Sequence, residues 1–294
     1  MKHIVTSGCS FSNTEDCVDY SKHGMDCDLY GGDNYKSWAL HLEDIIPDSK
    51  VYNRALPGVG NAYIVRSIIW QVNELLKQNI KPNVFMQMTS FDRKELLLDC
   101  NDLSSETDVN LQTHYIPDIM PRHIPDIMPR HQSPHFAKKL NNNKVWLKHS
   151  YVEDSMMRYH YKYYHNDESA LVESLEHILR LQWFLKLNNI NYKIFPGWNI
   201  IQRLNHHTLQ KESNEKLIFG TTEVNFLWEM IDFDNVWFYK NYGGITEWSE
   251  DNLPFKDRYV TGERRNKEGT ALDQHPSNTA HREFAKQAVS KWIK

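Results

Sequence analysis

The N-terminal stretch Met1–Ser12, with the sequence MKHIVTSGCSFS, decides the fold. It opens with a short apolar run, breaks at Thr6-Ser7-Gly8 and then presents Ser10 between small or polar neighbours. A buried strand followed by a glycine-containing turn is typical of α/β folds, in which such a turn lifts a side chain to the carboxyl edge of a parallel sheet. Gly8 permits the sharp turn because it has no Cβ. We therefore expect the functional site to be organised around Ser10.

Strand and helix patterns alternate along the rest of the chain. Short apolar runs predict four more strands, at Val51–Asn53, Val84–Met88, Tyr192–Phe195 and Val236–Tyr239. Helical spacing of apolar residues between them, without hairpin signals, predicts an α/β fold with a parallel sheet covered on both faces. Right-handed crossovers place all strand ends at one edge, and with them Ser10, Gly58, Ser90 and His275.

Helix-start signals accompany two of these junctions. Asn61 follows the second strand and is a good N-cap for an amphipathic helix, and Ser277 is a good N-cap for the last helix. The stretch from Gly243 to Thr270 is polar and predicts a loop. The whole chain, residues 1–294, is expected to form one domain.

Bulk properties exclude several classes of protein. The net charge of the 294 residues is −4 and no basic run is long, which argues against a nucleic-acid binder. The four cysteines lack metal-ligand spacing and are expected to be reduced thiols, with a Cys17–Cys27 bridge as the alternative. No apolar run approaches the roughly 20 residues of a membrane span, and the chain begins as a strand rather than a signal peptide. A cytoplasmic protein is expected.

An irregular insertion occupies about residues 100–165. It contains an identical tandem repeat, IPDIMPRH, at Ile116–His123 and Ile124–His131, whose prolines exclude a continuous helix or central strand. We interpret the repeat as a local duplication, compatible with a fast-evolving genome such as that of a phage or another virus. The histidines His114, His123, His131 and His135 lack a completing carboxylate or cysteine, so no metal site is predicted.

Three residues could supply nucleophilic chemistry. A serine hydroxyl is a weak nucleophile until a neighbouring base accepts its proton, and a carboxylate that orients the base improves it. His275 is the natural base for Ser10, because an unperturbed imidazole titrates near neutrality. Asp273 lies two residues before His275 and could fix its tautomer, while Pro276 restricts His275 to extended backbone. Taken alone, residues 273–276 could also be a loop that simply precedes a helix.

The combination of blocks resembles the SGNH (GDSL-type) hydrolase family. The resemblance rests on Gly8–Ser12, on residues 53–58 and on Asp273-x-His275-Pro276, and covers residues 1 to about 93 and those from Glu168 onward. It implies a three-layer, flavodoxin-like α/β/α sandwich with five strands. It also implies that Ser10, His275 and Asp273 form a triad. The backbone N–H groups of Ser10 and Gly58 would then bind the oxyanion.

The sequence departs from the family pattern in three places. Cys9 replaces an aspartate, and the last block is Asp-x-His where the family commonly has Asp-x-x-His. The third block, Thr89-Ser90-Phe91-Asp92, lacks the asparagine that contributes to the oxyanion hole. The hydroxyl of Thr89 or Ser90, or the amide of Asn61, is the candidate replacement.

Arg93 follows the third strand and allows two interpretations. It could form a surface ion pair with Glu95 of little energetic consequence, or it could bind a carboxylate or sulfate of the substrate. Thr89 is the other candidate for substrate contact. His281, inside the last helix, is expected to be packed rather than catalytic.

The resulting prediction is a serine esterase without a cofactor, acting on an acylated carbohydrate or another small ester. A binding or structural module that keeps the fold but has lost efficient chemistry is the alternative, supported by the missing asparagine. Acyl transfer to an acceptor other than water is a third hypothesis. A dinucleotide enzyme is excluded because no G-x-G-x-x-G follows a strand.

Overall fold

The computed structural model describes residues 1–13, 35–56, 59–91, 93, 95–99, 144–148, 163–201, 209–212, 217–259 and 275–293. Its strands are β1 Lys2–Ser7, β2 Ser49–Asn53, β3 Asn83–Met88, β4 Glu95–Asp99, β5 Lys144–Lys148, β6 Tyr192–Pro196, β7 Leu209–Glu212 and β8 Leu217–Phe219. Its α-helices are α1 Trp38–Ile45, α2 Asn61–Leu76, α3 Asp167–Leu187, α4 Thr222–Met230, α5 Ile245–Asn252 and α6 Asn278–Gln287.

The central sheet confirms the α/β fold class. Four strands lie in the order β2-β1-β3-β6, and every neighbouring pair is parallel. The expected fifth strand at Val236–Tyr239 is, within the described residues, a single parallel bridge between Ile194 and Val236, reinforced by the Trp237 N–H on the Ile194 carbonyl at 2.8 Å. Pairing stops there because Val236 directly follows a 3-10 turn at Phe233–Asn235 and the chain turns again at residues 240–242.

The two faces of the sheet each contribute to a separate apolar core. Successive side chains of a strand point to opposite faces, and Ile4 and Val5 accordingly enter different clusters. The Val5 cluster packs against α2 and α3, and the Ile4 cluster against α1, α5 and α6. Both faces are therefore covered by helices. The carboxyl edge of the strands lies between these two helical layers.

Two strand pairs and one helix were not anticipated. β4 pairs with β5, and β7 with β8, both antiparallel and outside the central sheet. The β4–β5 pair lacks a hairpin signal because more than 40 residues connect its strands. The region predicted as a loop from Gly243 onward contains α5. The N–H of its N-cap residue, Gly244, donates to the Glu247 carboxylate at 2.7 Å.

Helix starts follow the expected signals in one case and not in the other. The Ser277 hydroxyl accepts the Ala280 N–H at 3.0 Å and caps α6, as predicted. Asn61 is the first residue of α2 rather than its cap, and Gly60 occupies the cap position. The side chain of Asn61 is engaged elsewhere, as described below.

Several predictions concern residues outside the described ranges. They are the IPDIMPRH duplication, the histidines His114, His123, His131 and His135, and the pair Cys17 and Cys27. None of the helices in the described ranges combines the length and the apolar character needed to cross a bilayer.

Candidate active site

The two residues predicted to start the chemistry lie in hydrogen-bond contact. Nε2 of His275 is 2.6 Å from Oγ of Ser10, and both side chains are half-buried. Ser10 lies on the turn after β1, and His275 lies three residues before α6. An imidazole nitrogen at this distance can accept the serine proton as the oxygen attacks an electrophile.

A buried amide supports the turn that carries Ser10. Oε1 of Gln87, at the end of β3, accepts the Cys9 N–H at 3.1 Å and the Ser12 hydroxyl at 3.1 Å. Gln87 is fully buried, and a Cβ on Gly8 would come within 2.6 Å of Oε1. Gly8 is therefore needed for close approach to Gln87, in addition to the turn itself. The neighbouring strand β3 thus positions the turn that carries Ser10.

The other end of the turn is held by β2 and α1. Nδ2 of Asn53 donates to the Ser12 carbonyl at 2.6 Å, and the Ser37 hydroxyl donates to the same oxygen at 2.9 Å. Nε1 of Trp38 donates to the Ser12 hydroxyl at 2.8 Å. Ser12 is fully buried and its hydroxyl is engaged as both donor and acceptor, so it supports the turn and leaves Ser10 as the accessible hydroxyl.

His275 is positioned through its neighbour Pro276. The Tyr35 hydroxyl donates to the Pro276 carbonyl at 3.1 Å, and Tyr259 pairs with Pro276 in a single antiparallel bridge. Because the Tyr35 proton goes to that carbonyl, Nε2 of His281 is the donor in its 2.8 Å contact with the Tyr35 oxygen. His281 is therefore a packed, supporting histidine.

The electrostatic setting of His281 agrees with a neutral ring. Complete burial lowers the pKa of His281 well below its ordinary value, and the nearby His41 and His275 act in the same direction. Among the described residues Nδ1 of His281 has no hydrogen-bond partner, as expected for an unprotonated nitrogen in an apolar site.

The third block presents hydroxyl groups near the end of β3. Asn61 accepts the Thr89 N–H at 3.1 Å, and its Nδ2 donates to the Thr89 carbonyl at 3.3 Å and to the Ser174 hydroxyl at 3.5 Å. Both amide hydrogens of Asn61 are thus engaged. The hydroxyls of Thr89 and Ser90 are buried and have no partner among the described residues.

An aromatic and cationic flank extends from His275. Phe11 lies 5.0 Å from the His275 ring and 5.0 Å, edge to face, from the Trp198 ring, measured between centroids. The guanidinium of Arg93 lies over the Trp198 ring, 5.2 Å from its centroid. The backbone N–H of Arg93 donates to the Ser90 carbonyl at 3.4 Å, which forms a turn at the end of β3.

The chain matches no protein-family model, and no curated protein matches it. The SGNH resemblance therefore stays a prediction that rests on the motifs quoted above.

Two of the predicted site residues, Asp273 and Gly58, lie outside the described ranges. Their contributions stay predictions. In the described parts of the chain no group of three histidine, cysteine, aspartate or glutamate side chains is arranged to hold a metal ion.

Sequence reasoning missed the supporting residues Gln87, Tyr35 and Trp198. Gln87 acts through a tertiary contact with a residue 75 positions away, and Tyr35 through one with a residue 241 positions away. No local sequence pattern reveals such contacts. Trp198 had a usable signal: it follows the Pro196-Gly197 stop of a parallel strand, and such positions lie at the sheet edge where sites form.

Proposed function

We propose that this protein is a serine acyl hydrolase that cleaves a small ester or an acylated carbohydrate. The observation that carries the proposal is the 2.6 Å contact between Nε2 of His275 and Oγ of Ser10. A serine hydroxyl within hydrogen-bond reach of a histidine is the pairing that activates serine for covalent acyl transfer.

In the proposed reaction Oγ of Ser10 attacks the ester carbonyl carbon while His275 takes the serine proton. The tetrahedral intermediate collapses with cleavage of the ester C–O bond, and His275 returns the proton to the departing alcohol. Water then attacks the acyl-serine and His275 accepts its proton. Collapse breaks the bond between the acyl carbon and Oγ, His275 returns the proton to Oγ of Ser10, and the carboxylic acid is released. Asp273 is the residue proposed to orient His275.

The oxyanion hole is proposed to differ from the family pattern. The backbone N–H groups of Ser10 and Gly58 would be two donors, as the resemblance implies. For the third, the engaged amide of Asn61 favours the Ser90 hydroxyl, which is buried and without a partner among the described residues. A donor aimed at the developing negative charge stabilises the transition state by a few kcal/mol.

The finer fold assignment belongs to the same proposal. The strand order β2-β1-β3-β6, followed by the Ile194–Val236 bridge, supports a flavodoxin-like, five-stranded layering. In that layering the carboxyl edge near β1 and β3 is where a ligand binds.

Labelling by a fluorophosphonate tests the proposal. The wild-type protein is expected to be labelled at Ser10, mapped by mass spectrometry, and both Ser10→Ala and His275→Ala are expected to abolish labelling. His177→Ala, a half-buried histidine on α3, is the matched control and should label as wild type does. Absence of labelling in a folded wild-type sample would overturn the hydrolase and favour the non-catalytic binding module.

A further inference from the structure

Arg93 is a cation beside the candidate site that no described side chain neutralises. Its Nε and Nη1 are buried and have no hydrogen-bond partner among the described residues, and no described carboxylate forms an ion pair with it. Its guanidinium carbon lies over the Trp198 ring, 5.2 Å from the ring centroid. A guanidinium with buried, unsatisfied donors is costly unless something binds them.

The position of Arg93 links it to the reacting pair. Trp198, which carries the guanidinium, touches Phe11, and Phe11 touches the ring of His275. Phe11 is also the residue directly after Ser10. A continuous series of ring contacts therefore connects the candidate base, His275, to the guanidinium of Arg93.

The geometry also fixes how an anion could approach. Both bidentate edges of a guanidinium include Nη2, and Nη2 is not among the buried atoms of Arg93. The guanidinium is planar and lies against Trp198, so little freedom is lost when its donors bind a ligand. Planar, bidentate recognition of this kind suits a carboxylate better than a neutral acceptor.

We propose that Arg93, whose guanidinium lies over Trp198, binds a carboxylate of the substrate, so that the preferred ester also carries an acid group. The inference rests on the proposed acyl hydrolase and names its substrate class: acylated acids, such as an O-acetylated sugar acid, rather than neutral esters. Arg93 thereby determines specificity while Ser10 and His275 carry the chemistry.

Matched probes test this assignment in the full-length protein. The 3- and 4-acetoxybenzoates carry a carboxylate at two distances from the ester, and the corresponding acetoxybenzamides are neutral and of nearly the same shape. Wild type should hydrolyse at least one benzoate with a higher kcat/KM than its benzamide. Arg93→Met should reduce kcat/KM for that benzoate roughly tenfold to hundredfold, as for a charge-assisted hydrogen bond, and change the benzamide less than about twofold.

Two variants separate charge and geometry from general damage. Arg93→Lys keeps the charge but not the fork, and should retain part of the preference for the acid. Arg282→Met removes an exposed arginine on α6 and should leave both rates unchanged. Equal loss for the acid and the amide in Arg93→Met, or no preference in wild type, would overturn the assignment.

A binding measurement distinguishes failure of this inference from failure of the proposed function. Ligand-detected NMR on Ser10→Ala compares benzoate and benzamide probes without turnover. Labelling at Ser10 with no preference for the acid overturns the carboxylate subsite and leaves the hydrolase. A preference that depends on Arg93, without labelling of wild type, overturns the hydrolase and leaves an anion-binding site. A folded sample that shows neither labelling at Ser10 nor a preference for the acid would overturn both the hydrolase and the carboxylate subsite.

Discussion

Nε2 of His275 lies 2.6 Å from Oγ of Ser10, although 265 positions separate the two residues in the chain. One residue follows the first strand of the sheet and the other precedes the last α-helix. Their contact depends on the layer of α1 and α6 packing on one face of that sheet, because His275 lies three residues before α6 and is placed by it. The candidate site is thus formed by the two ends of the described fold.

The hydroxyl of Ser90 should be needed for turnover and not for folding. Since a single oxyanion donor is worth roughly a hundredfold in rate, Ser90→Ala should lower kcat for an aryl acetate by about that factor. Urea unfolding of Ser90→Ala should stay near wild type, because the hydroxyl has no partner to lose among the described residues. Ser169→Ala, at an exposed position on α3, is the control and should retain activity.

Asn61 should behave in the opposite way. Its side chain binds both the N–H and the carbonyl of Thr89 in a buried site, so Asn61→Ala leaves several polar groups unsatisfied. A loss of about 1–3 kcal/mol in the free energy of unfolding is expected. If Asn61→Ala kept full stability but lost the rate instead, Asn61 and not Ser90 would be the better oxyanion donor.

Gln87→Leu should weaken both the fold and the labelling of Ser10. The substitution removes the acceptor of the Cys9 N–H and the Ser12 hydroxyl, and leaving those buried donors unpaired costs about 1–3 kcal/mol or more. The turn would lose its support, so the rate of fluorophosphonate labelling should fall. Gln78→Leu, at an exposed position after α2, should change neither quantity by a measurable amount.

Tyr35→Phe should slow the labelling of Ser10 several-fold while the fold persists. It removes the hydroxyl that holds the Pro276 carbonyl next to His275 and leaves the buried Nε2–H of His281 without its acceptor, at a cost of about 1–3 kcal/mol. Tyr239→Phe removes a half-buried hydroxyl away from the site and serves as the control. Unchanged labelling in Tyr35→Phe at equal stability would show that the hydroxyl does not position His275.

The free energy of unfolding should fall as the pH drops below 6.5. The lowered pKa of His281, caused by its burial, keeps the ring neutral in the folded state, whereas the unfolded chain takes up a proton near pH 6.5. The unfolded state then binds more protons, so stability is complete above pH 6.5. Below it, this one group removes at most about 1.4 kcal/mol per pH unit.

Urea titrations at pH 5, 6, 7 and 8 measure this dependence. His281→Gln should lose less stability between pH 7 and pH 5 than wild type does. Equal pH slopes for wild type and His281→Gln would contradict the assignment of the effect to His281.

The sequence by itself determined the α/β fold class and predicted Ser10 and His275 as the candidate reacting pair. The apolar run that ends before Gly8 predicted β1, and the glycine turn after it predicted the position of Ser10, because strand patterning and glycine turns are local properties. The capping signal at Ser277 predicted the start of α6 for the same reason. The grouping of Ser10, Ser90 and His275 at one edge followed from the topology of parallel sheets.

Only the tertiary structure decided what supports these residues. Asn61 has the local signal of a helix cap, yet its amide binds the backbone of a strand 28 positions away. Gln87, Tyr35 and the pair of Arg93 and Trp198 likewise owe their roles to contacts between residues far apart in the chain. Hydrogen bonds and ring contacts act over a few ångströms in space, so their partners are fixed by packing and not by order along the chain.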